Sequence, residues 1–355
     1  MIVTFPHMGP LYVTMKSLLS TLGLTVMAPP PISKKTVETG ARYAPETACL
    51  PLKVTLGNYI EALESGADTI VTCGGVGPCR LGYYAQVQQE ILKELGYKFT
   101  MVVIEPNVFD VFKTIRQLAP GAGVPSVYRA FTLAGAKMSA LDTLGDVLRQ
   151  VRATEQFPGT ADAVYQEAVA EIEVASDPRV MPEIGDFYRE KLLQVEQNGK
   201  VPLQIGLVGE IYVMLETFVN QDLEQRLGQL GAHVHRTMSL TDYVRTHLLR
   251  SKPYLIKYNE IAKAAAPYLG HGVGGHGLRS VGATVDMANQ GFDGIMHVFP
   301  FTCMPEVIAK NILHQTSNDH GIPVLSLAFD EQSGEAGVVT RLEAFIDLLN
   351  YRRKL

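Results

Sequence analysis

Apolar residues along this chain fall into short unbroken runs separated by longer stretches of helical spacing, an alternation that predicts parallel sheets covered by helices. Ile2 to Phe5, Leu11 to Leu22 and Leu24 to Ala28 open as strand, helix, strand. After Pro29-Pro30-Pro31 the pattern predicts a short helix near Lys34 to Gly40, a loop carrying Cys49, and a helix from about Pro51 to Glu64 with proline in its first turn. A strand at Thr69 to Thr72 then runs through the loop Cys73-Gly74-Gly75-Val76-Gly77-Pro78-Cys79 into a helix to about Leu95, and Phe99 to Glu105 is the next strand. From Asn107 to Gly199 strand signals almost vanish, and Met138 to Val151 and Ala161 to Ala175 keep helical spacing. Strands resume at Leu203 to Val208, His233 to Arg236, Gly294 to Val298 and Val324 to Ala328. The expected fold class is α/β: two Rossmann/flavodoxin-like parallel-sheet domains, 1–135 and 201–355, joined by a helical bridge or insert, 136–200.

The two expected domains read as diverged copies. Gly66-Ala67-Asp68 leads into a strand, a loop, Cys79 and a helix; Gly291-Phe292-Asp293 leads into a strand, a loop, Cys303 and a helix. Asp68 and Cys79 are 11 residues apart, Asp293 and Cys303 10 apart. Cys49 stands 19 residues before Asp68, and Gly274 stands 19 before Asp293, so the second copy has glycine where the first has a thiol.

Composition narrows the classes. A chain of 355 residues suffices for two domains with their own cores, and 46% hydrophobic with 19% charged residues suits a compact globule. A formal net charge of -5, with no dense basic block beyond Arg352, Arg353 and Lys354, argues against nucleic acid as a partner. No run reaches the roughly 18 apolar residues of a membrane span, and the first residues lack the pattern of a signal peptide, so the expected setting is the cytoplasm.

Four cysteines are too sparse for a secreted disulfide scaffold, which turns attention to metal or redox chemistry. Cys49, Cys79 and Cys303 each sit at an expected helix start beside a proline, in Cys49-Leu50-Pro51, Pro78-Cys79 and Cys303-Met304-Pro305. Ligands of parallel sheets bind beyond the carboxyl ends of the strands, where such loops lie, and helix-start N–H groups favour the thiolate that binds metal. Ordinary buried cysteines and a structural zinc site are the rival readings, but zinc usually brings a close Cys pair, whereas Cys73 and Cys79 are wider apart and Cys303 is remote. Thiolates gathered from distant segments suit an iron–sulfur cluster, here [4Fe-4S], in the cleft between domains, with Cys73 as a candidate fourth ligand. Gly74, Gly75 and Gly77 allow the turn and bring backbone N–H groups near cluster sulfides, and Gly274 is expected to line the cleft opposite Cys49. The segment His271-Gly272-Val273-Gly274-Gly275-His276-Gly277 lacks the Gly-Lys-Ser/Thr ending of a phosphate loop. His271 or His276 is a candidate proton donor or hydrogen-bond partner there, and Glu210, at the end of the strand from Leu203, a candidate proton acceptor or helix-start cap. Either histidine also reads as a structural residue.

The strings Ala48-Cys49-Leu50-Pro51-Leu52-Lys53, Gly77-Pro78-Cys79-Arg80-Leu81-Gly82-Tyr83-Tyr84, Gly209-Glu210-Ile211-Tyr212-Val213 and Thr302-Cys303-Met304-Pro305-Glu306 together resemble the acyl-CoA dehydratase activase-related proteins, also called CoA protein activases. These are distant relatives of the cluster-bearing subunits of 2-hydroxyacyl-CoA dehydratases and benzoyl-CoA reductases. The resemblance implies a two-domain fold with the cluster between domains on Cys49, Cys79 and Cys303, and a homodimer. It also implies a partner ATPase, an activase of the sugar kinase/Hsp70/actin class, that injects low-potential electrons. The phosphate loops and acidic strand pattern of that ATPase are missing here, so the chain is expected to be the activated component. Cys73 departs from the three-cysteine pattern: if it closes the cluster, an electron-transfer protein results. With one iron open, a dehydratase or reductase of a small or CoA-linked substrate results. A zinc-stabilised scaffold subunit is the third expectation.

Overall fold

In a computed structural model of the chain, residues 1–75 and 77–354 are described; Val76, within the glycine loop singled out above, and Leu355 lie outside the described residues. The first unit runs β1 (Ile2–Thr4), α1 (Leu11–Thr21), β2 (Thr25–Val26), α2 (Lys34–Tyr43), α3 (Leu50–Glu64), β3 (Thr69–Cys73), α4 (Leu81–Glu94), β4 (Thr100–Ile104) and α5 (Val108–Leu118). Three long helices follow, α6 (Val124–Arg152), α7 (Thr160–Val174) and α8 (Met181–Leu193). The second unit opens with β5 (Leu203–Gly209), the short helices α9 (Ile211–Leu215), α10 (Thr217–Asn220) and α11 (Leu223–Gln229), and β6 (Ala232–Arg236). It continues through α12 (Leu240–Tyr243), α13 (Lys252–Ala265), α14 (Gly277–Asn289), β7 (Gly294–Pro300), α15 (Met304–His320), β8 (Val324–Phe329) and α16 (Glu335–Arg353).

Both sheets are entirely parallel and share one order, β2-β1-β3-β4 and β6-β5-β7-β8. The α/β class expected from the alternation of apolar runs is therefore the observed one. Every residue of the central strand β7 is buried, which is why Gly294 to Pro300 shows no polar alternation. The repeat extends to hydrogen bonds. Asp68 accepts from the N–H of Ile2 at 2.8 Å, and Asp293 accepts from the N–H of Gln204 at 2.7 Å, so the same carboxylate fastens the first strand of each unit to its third.

Close helix crossings repeat as well. A Cβ on Gly57 of α3 would stand 2.0 Å from the carbonyl oxygen of Thr36, and one on Gly282 of α14 would stand 2.0 Å from that of Ile261. Only glycine permits either approach. Gly57 follows Cys49 by 8 residues and Gly282 follows Gly274 by 8, although Cys49 caps α3 directly while Gly274 lies three residues before α14.

Helix α3 departs from an ordinary surface helix because all its residues except Glu61 and Glu64 are buried. Leu56, Tyr59, Ile60 and Leu63 pack on Ile70 in the first unit, while Leu50 and Val54 join the second unit's core with Tyr212 and Val213. One helix thus belongs to two cores. The junction is fastened by Lys53 Nζ to Glu331 Oε1 at 2.6 Å and by Glu216 Oε2, which lies 2.7 Å from His7 Nδ1 and accepts from the Gly9 N–H at 2.9 Å. The long α6 packs Leu141, Leu144 and Leu148 against Val13 of α1 and helices α7 and α8, and sets Met138 against Leu215 and Leu240. Among the described residues no helix is long and apolar enough to cross a membrane.

Candidate metal centre at the junction

Cys49 is the N-cap of α3 and Cys303 the N-cap of α15, each followed by proline in the first turn; Cys79 lies two residues before α4. Arg80, exposed at the surface, bridges these helix starts. Its guanidinium donates to the carbonyl of Thr47 at 2.6 Å, just before Cys49, and to that of Thr302 at 3.0 Å, just before Cys303. Thr302 holds a left-handed φ of 70°, unusual for a β-branched residue, and its hydroxyl reaches the Thr47 carbonyl at 3.4 Å. The side chain next to Cys79 therefore ties together the loops of the other two thiols across the junction. Cys79 acts electrostatically on Cys49, and Cys49 in turn on Cys303.

The remaining wall is glycine. A Cβ on Gly275 would come to 4.0 Å from Cys79 Sγ, and one on Gly274 to 2.8 Å from Pro78. Gly274, expected opposite Cys49, lies against Pro78 and Cys79. Both glycines have positive φ, 85° and 48°. Side chains there would fill the space beside the thiol.

Burial governs the charge state. It pushes the thiols of Cys49, Cys79 and Cys303 up, and the Glu210 carboxylate adds to the effect on all three. Opposing contributions come from the Tyr84 hydroxyl on Cys49, the Leu81 N–H on Cys79 and the Glu306 N–H on Cys303. The helix-start N–H groups of Leu81 and Glu306 favour the thiolate, and desolvation opposes them. A cationic group would supply the missing compensation. Tyr84 Oη lies 2.6 Å from Cys49 Sγ, inside the protein, and that phenol is itself pushed well up by burial and by Cys49.

Two carboxyls, Glu210 partly and Glu306 wholly buried, act on the thiols. Glu210 caps α9, accepting from the N–H groups of Tyr212 and Val213 at 3.0 Å each, and burial raises it to about 7 against those bonds. Glu306, wholly buried, meets His297 Nε2 at 2.9 Å through Oε2 while Oε1 has no partner. An orphaned carboxylate oxygen that acts on Cys79 and Cys303 fits a site that gains positive charge from a bound group. Among the described residues, no three His, Cys, Asp or Glu side chains are grouped as ligands of one metal ion.

Residues 7–72 match the family model of the CoA enzyme activase uncharacterised domain. The matched stretch runs from His7 through α3 and ends in β3, so it holds Cys49 and the wedge helix between the cores, and it relates the chain to the CoA-enzyme activases over that part. No curated protein matches the sequence.

The other expected residues are distributed as follows. Cys73 ends β3, paired with Ile104 of β4, and its charge neighbours are Glu105, Tyr59 and Tyr243; packing around its sulfur pushes its thiol up although the residue keeps exposed surface. Gly74 admits the Glu105 carboxylate, whose oxygen would stand 2.2 Å from a Cβ, and Gly75 passes 3.3 Å from the Gly82 nitrogen by the same measure. Gly77 has a φ of 103°. His271 is exposed and His276 stands at the start of α14, partly exposed. Arg80, Tyr84, Glu306 and His297 had no assigned role in the sequence reading. Arg80, Tyr84 and Glu306 lie inside the strings that carry the resemblance, which is the signal that was there to be used; His297 shows only as a polar residue in an apolar strand.

Proposed function

We propose that the chain carries a [4Fe-4S] cluster on Cys49, Cys79 and Cys303 at the junction of its two units, and that it receives low-potential electrons from an ATP-dependent activase of the sugar kinase/Hsp70/actin class. The observation that carries this reading is the double grip of Arg80 on Thr47 and Thr302, which gathers three helix-start thiols from both units around one glycine-walled space. A cluster spreads its thiolates over several irons, so the sulfurs need not converge on the single point that a zinc ion demands. When bound, such a cluster supplies a one-electron reductant and, with an iron left free, a Lewis acid.

The chain's own contribution is to hold and tune. The Tyr84 hydroxyl and the N–H groups of Leu81 and Glu306 offer hydrogen bonds to the three ligand sulfurs. Such bonds stabilise added negative charge and raise a reduction potential. Arg80 holds the loops and adds a positive charge near Cys49 and Cys79. Cys73 is the position to test for a fourth ligand.

Glu210 favours the second reading, a dehydratase or reductase of a small or CoA-linked substrate. A partly buried carboxyl raised to about 7 and acting on the thiols suits proton transfer at neutral pH. The match to a CoA enzyme activase domain supports either reading. The test is iron and acid-labile sulfide content with EPR, on protein purified without oxygen, before and after dithionite and then with acyl-CoA esters. About four irons per chain with a reducible signal is expected, and a change on adding ester selects the enzyme. Zinc alone, or no metal after anaerobic reconstitution, overturns both.

A further inference from the structure

A second polar cluster gathers around Tyr243, a residue that feels the charge of Cys73 and Cys79. The chain leaves α12 through one wide π turn, Val244–Leu248, and Arg250 follows with a left-handed φ of 49°, two irregularities that concentrate at functional sites. The wide turn sets the ring of His247 4.9 Å from that of Tyr243, and His276, at the start of α14, meets the same tyrosine at 6.2 Å. Tyr258 closes on His247 at 5.7 Å. Each of these rings keeps part of its surface at the solvent.

Beneath them is Arg279, only 6% exposed. It donates to the carbonyl of Thr237, its nearest carboxylate, Asp242, is 4.0 Å away, and its Nε–H is buried without a partner. A buried guanidinium so incompletely compensated projects positive potential over the face above it. Burial and the Arg279 charge push His247 down and hold His276 at about 3, so both rings are neutral at pH 7 and offer hydrogen bonds without charge. The unpartnered Nε–H of Arg279, whose charge Asp242 answers only from 4.0 Å, together with two neutral imidazoles and a phenol suits a ligand with a single negative charge and a further polar group. A dianion such as phosphate would leave one charge unanswered.

We infer that the face formed by Tyr243, His247, His276 and Arg279 binds a small organic monocarboxylate. Its ligand would lie beside Cys79 and Cys73, the thiols that act on Tyr243. The inference does not require those thiols to carry a cluster, so failure of the metal assignment leaves it standing.

The experiment is calorimetric titration of the anaerobically purified chain with lactate and, separately, with inorganic phosphate, at constant ionic strength. Saturable lactate binding with a dissociation constant of about 1 mM is expected, with phosphate at least about tenfold weaker. Arg279→Gln should weaken lactate about tenfold or more, the cost of one charged hydrogen bond. Should that variant fail to fold, His276→Asn, which keeps a helix-start residue, should weaken it about threefold. Absence of lactate binding, tighter binding of phosphate, or unchanged affinity in the folded variants overturns the inference.

Discussion

The two sheet units are built on one plan and equipped differently. Strand order, the aspartate that fastens the first strand to the third, and the glycine at the close helix crossing all repeat, Asp68 and Gly57 in the first unit, Asp293 and Gly282 in the second. Ahead of the equivalent helices, however, the first unit has Cys49 and the second, at the same spacing from the crossing glycine, Gly274, and only the first unit's helix is wedged between two cores. The lesson is a division of labour. Positions that hold the scaffold are the same in both units, and at the junction the matched pair Cys79 and Cys303 is kept while Cys49 is answered by Gly274.

If the copies share a scaffold, equivalent substitutions should cost the same. Gly57→Ala and Gly282→Ala each place a Cβ 2.0 Å from a backbone oxygen, and each should destabilise by about 3 to 4 kcal/mol in urea unfolding. A small effect at either one would break the equivalence.

A difference between the units is sharpened by acid. Burial alone would raise Glu224, but Arg236 on β6 and Arg149 on α6 hold it at about 2, below its ordinary 4.5. A depressed carboxyl gives stability that is complete above pH 4.5 and is lost as pH falls toward 2. The native chain should therefore exceed Glu224→Gln by about 3 kcal/mol at pH 7, with the gap closing between pH 4.5 and 2. Denaturant melts of both across that window measure it; a gap that persists at pH 2 would mean that the ion network tying α6 to the second sheet contributes little.

The smallest effect belongs to the strand fasteners. Asp293→Asn and Asp68→Asn should each cost about 1 kcal/mol or less, the first more because its side chain is the less exposed, 20% against 49%. Hydrogen exchange at Gln204 and Ile2 would read the two contacts separately, and equal exchange in native and variant chains would remove the aspartates from the shared plan.

Much of this was legible in the sequence because it depends on neighbours along the chain. Apolar runs located the strands to within a residue or two, and Gly66-Ala67-Asp68 against Gly291-Phe292-Asp293 revealed the repeat. The long α6 was recognised only from Met138 onward, since its first turns expose Val124, Tyr128 and Phe131 and show no apolar stripe. At the junction, the helix-start placement of Cys49, Cys79 and Cys303 was readable from their prolines. The Arg80 bridge was not, because it joins residues 33 and 222 positions apart through backbone carbonyls, which carry no side-chain signature. Arg279 and the π turn escaped for the same reason, as their partners come together only in the folded chain.

The comparison's central claim, that thiols from both units serve one centre, is tested most directly by iron and labile sulfide in Cys303→Ala beside Cys73→Ala, each purified without oxygen and shown to be folded. The account predicts that Cys303→Ala loses the cluster, as do Cys49→Ala and Cys79→Ala, while Cys73→Ala keeps iron and sulfide. Full iron and sulfide in Cys303→Ala would contradict it, because the second unit would then contribute no ligand.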